Sequence, residues 1–129
     1  MLNVYSKAKD GAKQLSINFK VKEFACKDGT DTIFVDSELV EILQKIREHF
    51  GKPLIINSGY RTEAHNKKVD GATYSQHKYG KAADIRITGV SPKEIGAFAE
   101  TLLINRGGIG VYSNFTHVDV REVKSRWKG

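Results

Sequence analysis

The chain has 129 residues, enough for one compact domain with a conventional core but too few for a second domain of ordinary size. Hydrophobic residues make up 40% of the chain and charged residues 28%, which is typical of a globular protein and excludes a disordered one. No apolar run approaches the roughly 20 residues of a membrane-spanning helix. The single cysteine, Cys26, excludes an intramolecular disulfide and a cysteine-rich metal site.

The positive charge is spread along the chain. A formal net charge of +6 favours a polyanionic partner such as nucleic acid, an anionic membrane or an anionic cell-wall polymer. The basic residues extend from Lys7 to Lys128 without a basic tract and without interleaved aromatic residues, so we expect no nucleic-acid partner. The polar start from Met1 to Ala12 contains no apolar segment, which predicts a chain made in the cytoplasm without a signal peptide.

Apolar periodicity predicts the elements of the first half. Residues 1–14 are expected to form a loose N-terminal segment, and apolar and polar residues then alternate from Leu15 to Phe19 as in a strand. Between Leu39 and Phe50, apolar residues recur every three or four positions, which predicts a helix over about 36–50. A capping aspartate and serine at the start of this helix and a glycine after its end mark its boundaries.

The second half is predicted to contain strands and helices in alternation. In chain order they are a buried strand at 54–56, a short helix at 62–68, a polar loop at 70–81, a strand at 82–87, a helix from Ser91 to about Asn105, and strands at 109–112 and 115–120. The last two strands are too close together for a parallel crossover. We therefore expect an α+β fold, with helices packed on one side of an antiparallel sheet.

Two of the four histidines lie in short segments that also contain aspartates. These segments are residues 75–84, with His77 and Asp84, and residues 117–119, with His117. Zinc binds imidazole nitrogen and carboxylate oxygen, and a catalytic zinc site uses three protein ligands. Two histidines and one aspartate meet this need without cysteine. The spacing from His77 to Asp84 matches no common helical metal pair, so the residues alone leave a metal site and ordinary loop and strand side chains as alternatives.

A wider set of motifs resembles the D-Ala-D-Ala carboxypeptidase family of zinc peptidases, which includes related cell-wall endopeptidases. The motifs are Ser58-Gly59-Tyr60-Arg61, Ser75-x-His77 with Gly80-x-Ala82-x-Asp84, and Gly108-x-Gly110-x-Tyr112 before Phe115-x-His117-x-Asp119; residues 18–26 also resemble the short, single-domain members. The resemblance implies one zinc peptidase domain over 1–129, a fold like that of Hedgehog domains and D-Ala-D-Ala peptidases, and a zinc ion held by His77, Asp84 and His117.

The same resemblance implies roles for three further residues. Arg61 corresponds to an arginine that stabilises the developing oxyanion, a task that suits a fixed and always charged guanidinium. Ser75 lies where the family often places a substrate-contacting hydroxyl, and Tyr112 is expected to line the substrate cleft. The alternatives are a surface arginine for Arg61, a turn residue for Ser75 and a core residue for Tyr112.

At the position of the general base this sequence departs from the family's pattern, because Asn114 stands where better-known members of the family carry an acidic residue. An amide cannot accept a proton from water in that step. Asp119 is the available substitute, since residues two apart on a strand share a face and Asp119 should lie beside His117. It could accept the proton or orient His117 as a supporting carboxylate, and the base role is the working hypothesis.

These inferences predict a zinc-dependent hydrolase of peptidoglycan peptide bonds, either a carboxypeptidase or an endopeptidase. The resemblance to small phage endolysins implies a monomer that acts at the bacterial cell wall. Asn114 keeps open the alternative of a non-catalytic zinc-binding module with the same fold. The two remaining histidines, His49 and His65, are expected to be structural or solvent-exposed.

Overall fold

A mixed sheet of five strands forms the centre of the molecule, seen in a computed structural model that describes all 129 residues. The strands run in the spatial order β5-β6-β8-β7-β9. Their bounds are β5 Leu54–Ser58, β6 Ala82–Ile87, β7 Gly108–Val111, β8 Thr116–Asp119 and β9 Ser125–Lys128. The predicted strands of the second half and the α+β class are confirmed.

The sheet is antiparallel except at one edge, where the prediction of a wholly antiparallel sheet is wrong. Strand β9 pairs in parallel with β7. The two strands to which the crossover argument was applied, β7 and β8, are antiparallel as expected, and the parallel pair involves β9, a strand that the sequence did not predict. The chain after β8 then passes to the far side of β7 and needs no crossover helix.

Helices cover one face of this sheet. Helix α4 (Pro92–Leu102) packs against β7 and β8, and helix α2 (Ser37–Phe50) packs against α4. The predicted caps are present: the side chain of Asp36 accepts a hydrogen bond from the Glu38 amide, and that of Ser91 accepts one from Glu94. The sheet and these helices share a hydrophobic core of 21 buried residues. No helix is long and apolar enough to cross a membrane.

The N-terminal segment is ordered, so the prediction of a loose segment over 1–14 is wrong. Strand β1 (Leu2–Ser6) pairs antiparallel with β4 (Thr32–Asp36), and a short helix, α1 (Lys7–Asp10), follows it. The pairing depends on backbone hydrogen bonds to a strand about thirty residues away, which the polar composition of the segment does not reveal.

The remaining elements are short. The predicted strand over 15–19 is a hairpin of β2 (Gln14–Ser16) and β3 (Phe19–Lys20), with its turn at residues 17–18. A 3-10 helix at Val21–Phe24 follows it. Helix α3 (Glu63–Lys68) confirms the predicted short helix, and the polar loop that follows contains a second 3-10 helix at Gln76–Tyr79.

Candidate metal centre

The two histidines and the aspartate of the sequence motifs meet on the sheet face that the helices leave free. The Nε2 atom of His77 lies 3.2 Å from Asp84 Oδ1, and the Nδ1 atom of His117 lies 2.9 Å from the same oxygen. One nitrogen or oxygen atom from each of the three residues lies within 4.8 Å of the others, and all three residues are buried. This grouping can hold a metal ion.

The local sequence explains how the three side chains converge. Asp84 of β6 pairs directly with His117 of β8, so the sheet register places them side by side. His77 arrives from the 3-10 helix, whose start is capped by Ser75 and whose end is Gly80 at φ 71°. A Cβ at Gly80 would lie 2.5 Å from the Phe34 carbonyl oxygen, so only glycine allows this turn to approach β4.

The outer nitrogen of each histidine has an acceptor of its own. His77 Nδ1 lies 2.7 Å from the Gly59 carbonyl oxygen, and His117 Nε2 lies 2.7 Å from Asp119 Oδ2. A neutral imidazole carries a single N–H, and here the outer nitrogen can donate it. The inner nitrogens then present lone pairs toward Asp84. Two imidazole nitrogens and one carboxylate oxygen form a donor set that suits zinc.

The electrostatics keep the carboxylates ionised. Burial alone would raise the pKa of Asp84, but the contacts of its carboxylate with the His117 and His77 rings outweigh burial, and the pKa lies well below its usual range. Burial likewise opposes ionisation of Asp119, yet hydrogen bonds from His117 and Arg121 hold its pKa well below the usual range. An ionised Asp84 is the form that a metal ion needs in a ligand.

Asp119 is enclosed on all sides. The residue has no exposed surface, and its carboxylate accepts hydrogen bonds from the Gly108 amide at 2.8 Å and from Arg121 Nε at 2.9 Å and Nη2 at 2.6 Å. A Cβ at Gly108 would collide with this carboxylate, which explains the glycine. Both oxygens of Asp119 are therefore occupied, and its contact with His117 lies on the ring nitrogen opposite the one that faces Asp84.

The other predicted site residues line one cavity with the triad. This cavity has a volume of about 390 Å³ and includes Arg61, Ser75 and Tyr112 in its wall. Arg61 donates to Asp84 Oδ2 at 3.3 Å and to Ser58 Oγ at 3.1 Å, which holds its guanidinium beside the triad. Asn114 is exposed on the hairpin between β7 and β8 and does not line the cavity.

Arg121 and Trp127 are among the residues of the cavity wall that sequence reasoning did not assign to the site. Trp127 lies on β9 opposite Gly110, where a Cβ would collide with the indole ring. Its ring centroid is 5.0 Å from that of His117, and its Nε1 donates to Tyr112 Oη at 2.9 Å. The glycine alternation in β7 was the available signal, because it indicates a large side chain from a neighbouring strand.

The two other histidines lie outside the triad. His49 stacks on Phe98 with ring centroids 3.8 Å apart, between α2 and α4. His65 lies on α3, and its Nδ1 is buried without a hydrogen-bond partner. Neither residue lines the cavity beside the triad.

The converging side chains form a candidate metal centre beside a cavity, and comparison with known proteins gives the family. The model of the peptidase M15 family matches residues 17–119, most of the chain, so this protein belongs to the peptidase M15 family. The resemblance to D-Ala-D-Ala carboxypeptidases and related enzymes is thereby confirmed.

Two curated relatives cover shorter stretches. The chain is 42% identical over 78 residues to the probable peptidoglycan L,D-endopeptidase MepK of Haemophilus influenzae, across 55% of this chain and 40% of that protein. It is 46% identical over 44 residues to the zinc D-Ala-D-Ala carboxypeptidase of Streptomyces albus G, across 33% of this chain and 17% of that protein. The chain thus matches less than half the length of either relative.

Proposed function

We propose that this protein is a zinc-dependent peptidase that hydrolyses peptide bonds in peptidoglycan. The observation that carries the proposal is the convergence of His77, Asp84 and His117, each histidine with its outer nitrogen already paired, in a chain of the M15 family. The names of the two relatives, a peptidoglycan endopeptidase and a zinc carboxypeptidase, support the substrate class and the metal. The proposal assigns residues 1–129 to one zinc peptidase domain.

In this proposal the triad supplies the three protein ligands of the metal. A zinc ion held there would supply Lewis acidity and would lower the pKa of a water molecule to about 7. His77 and His117 present lone pairs on their inner nitrogens because their outer nitrogens carry the N–H and donate it to the Gly59 carbonyl and to Asp119. The ionised Asp84 contributes the negative charge that offsets part of the charge of the cation.

Arg61 stabilises negative charge on the carbonyl oxygen of the bond that is cut. Its guanidinium is fixed by Ser58 and Asp84 and lines the same cavity as the triad, which supports this role. A positive group held in place before the reaction stabilises a developing oxyanion without reorganisation. Ser75 and Tyr112 contact the substrate peptide from the same wall.

Asp119 orients His117 and is not the proton acceptor. The sequence left both roles open and favoured the base. The contacts of Asp119 support the orienting role, because its oxygens are occupied by His117, Arg121 and Gly108 and it has no exposed surface. A carboxylate behind a histidine ligand fixes the ring and its tautomer.

A non-catalytic zinc module is the second candidate. With Asp119 enclosed and Asn114 outside the cavity, Asp70 is the only carboxylate besides Asp84 in the cavity wall. A site without a proton acceptor would bind zinc and hydrolyse nothing. The likeness to Hedgehog domains, the endolysin context, a monomeric state and action at the bacterial cell wall also remain proposals.

Mass spectrometry of purified peptidoglycan incubated with the zinc-loaded protein tests the proposal. The wild type should release new peptide fragments, and their masses identify the bond. His117→Ala should release none, whereas His49→Gln, a histidine variant outside the site, should release the same fragments as the wild type. One bound zinc per chain without fragments from several wall chemotypes would favour the non-catalytic module. Fragments from His117→Ala would contradict a metal mechanism.

A further inference from the structure

Arg121 is a cavity residue that the proposed reaction does not use. It follows β8 and lies beyond the residues that match the M15 family model. It reaches the same Asp119 oxygen that accepts from His117, so one carboxylate oxygen separates its guanidinium from that histidine ring. About 29% of its side chain is exposed, whereas Asp119 beneath it is fully buried.

The guanidinium of Arg121 is occupied on one edge only. Nε and Nη2 donate to the two oxygens of Asp119, at 2.9 and 2.6 Å. Nη1 donates to no protein acceptor, in contrast to Arg61, whose three nitrogens each have a partner. Nη1 and the second hydrogen of Nη2 form the end of the guanidinium, which is the edge that can bind a carboxylate with two parallel hydrogen bonds.

Two contacts hold that free edge in position. The side pairing with Asp119 fixes the plane of the guanidinium, and the Trp127 ring lies 5.4 Å from its central carbon. If Arg121 served only to neutralise the charge of Asp119, its side chain would not need to line the cavity. Arg121 lines it beside His117 and Trp127.

We propose that Arg121 binds a free carboxylate of the substrate peptide and makes the protein selective for peptides that carry one near the bond to be cut. This inference rests on the proposed function. Peptides of the bacterial wall carry free carboxylates at several positions, and some of these can be amidated. Amidation removes the charge and one acceptor oxygen, so it removes the two-bond pairing with the guanidinium.

The test compares one pentapeptide, L-Ala-γ-D-Glu-L-Lys-D-Ala-D-Ala, with versions in which each carboxylate in turn is an amide. Binding to the zinc-loaded protein is measured by calorimetry, and hydrolysis is measured as kcat/KM. Hydrogen bonds to charged groups suggest that one amidation should weaken wild-type binding by about 10- to 100-fold. In Arg121→Gln, the affinity for the free-acid peptide should exceed the affinity for the amidated peptide by about threefold or less. Arg121→Lys should keep part of the wild-type ratio of the two affinities.

The control variant is Arg106→Gln, which removes an arginine that pairs with Glu38 at the surface. It should retain the wild-type ratio. Zinc content is measured for every variant, because a supporting role through Asp119 would lower zinc content and leave the ratio unchanged. Such an unchanged ratio, or a wild type that binds all versions equally, would overturn the inference. Selective binding without hydrolysis of any version would support the inference while contradicting the proposed function.

Discussion

The two faces of the five-stranded sheet differ although the same strands build both. On the helix-covered face, Ile85 and Val118 are fully buried among apolar side chains. On the opposite face, the neighbouring residues Asp84 and His117 join a polar network that leads to the cavity. Side chains alternate between faces along a strand, so adjacent positions serve the core and the site in turn.

A small domain can bury charge beside its core when every buried charge has partners. Asp84 and Asp119 would each destabilise the fold if they were buried without partners. Each is paired: Asp84 with two histidines and Arg61, and Asp119 with His117 and Arg121. The apolar face should therefore govern the free energy of unfolding, and the polar face should govern metal binding.

The largest effect should come from the apolar face. Ile85→Ala removes a fully buried side chain and leaves a cavity, which should lower the free energy of unfolding of the metal-free protein by about 2–5 kcal/mol. Urea denaturation measures this change. The control is Arg86→Ala at the next position, an exposed residue on the opposite face, which should change stability by about 0.5 kcal/mol or less. Equal losses in the two variants would break the proposed division between the faces.

The next effect should appear in metal binding. Asp119→Asn removes the charge that faces His117 Nε2, and loss of a carboxylate behind a ligand should weaken zinc affinity by about 10- to 100-fold. Competition with a chelator of known affinity measures the change. The activity of this variant at saturating zinc then separates the two roles of Asp119. Unchanged zinc affinity together with abolished turnover would restore Asp119 as the proton acceptor.

The sequence was most informative where structure is determined locally. Helix α2 could be predicted to within one residue at its start, because an apolar stripe and a capping aspartate lie within the helix and its flanks. Strand β6 could be predicted because apolar residues extend along the whole element and are interrupted only by Asp84 and Arg86, which share a face. The triad followed from a family resemblance, since its members converge only through the loop before β6 and the pairing of β6 with β8.

The missed features depend on distant parts of the chain. Strands β1 and β9 are edge strands with mixed polar composition, and each is specified by the partner that it joins. The role of Asp119 likewise depends on contacts that the sequence does not reveal. Strand alternation placed it beside His117, but only the structure shows that it meets the outer nitrogen of the ring. Arg121 could not be assigned to the cavity for the same reason, because no spacing rule links it to the triad.

The smallest effect should come from the wall that β9 adds to the polar face. Trp127→Phe removes the hydrogen bond from the indole N–H to Tyr112 Oη but keeps an aromatic ring above Gly110, so stability should fall by about 0.5–1.5 kcal/mol. Tyr112→Phe removes the same bond from the other side. Urea denaturation of both single variants and the double variant should show non-additive losses, because the second substitution finds the bond already absent. Strictly additive losses would mean that the bond between Trp127 and Tyr112 does not couple β9 to the cavity wall, and that other contacts of β9, such as the Arg126–Glu100 pair, hold it in place.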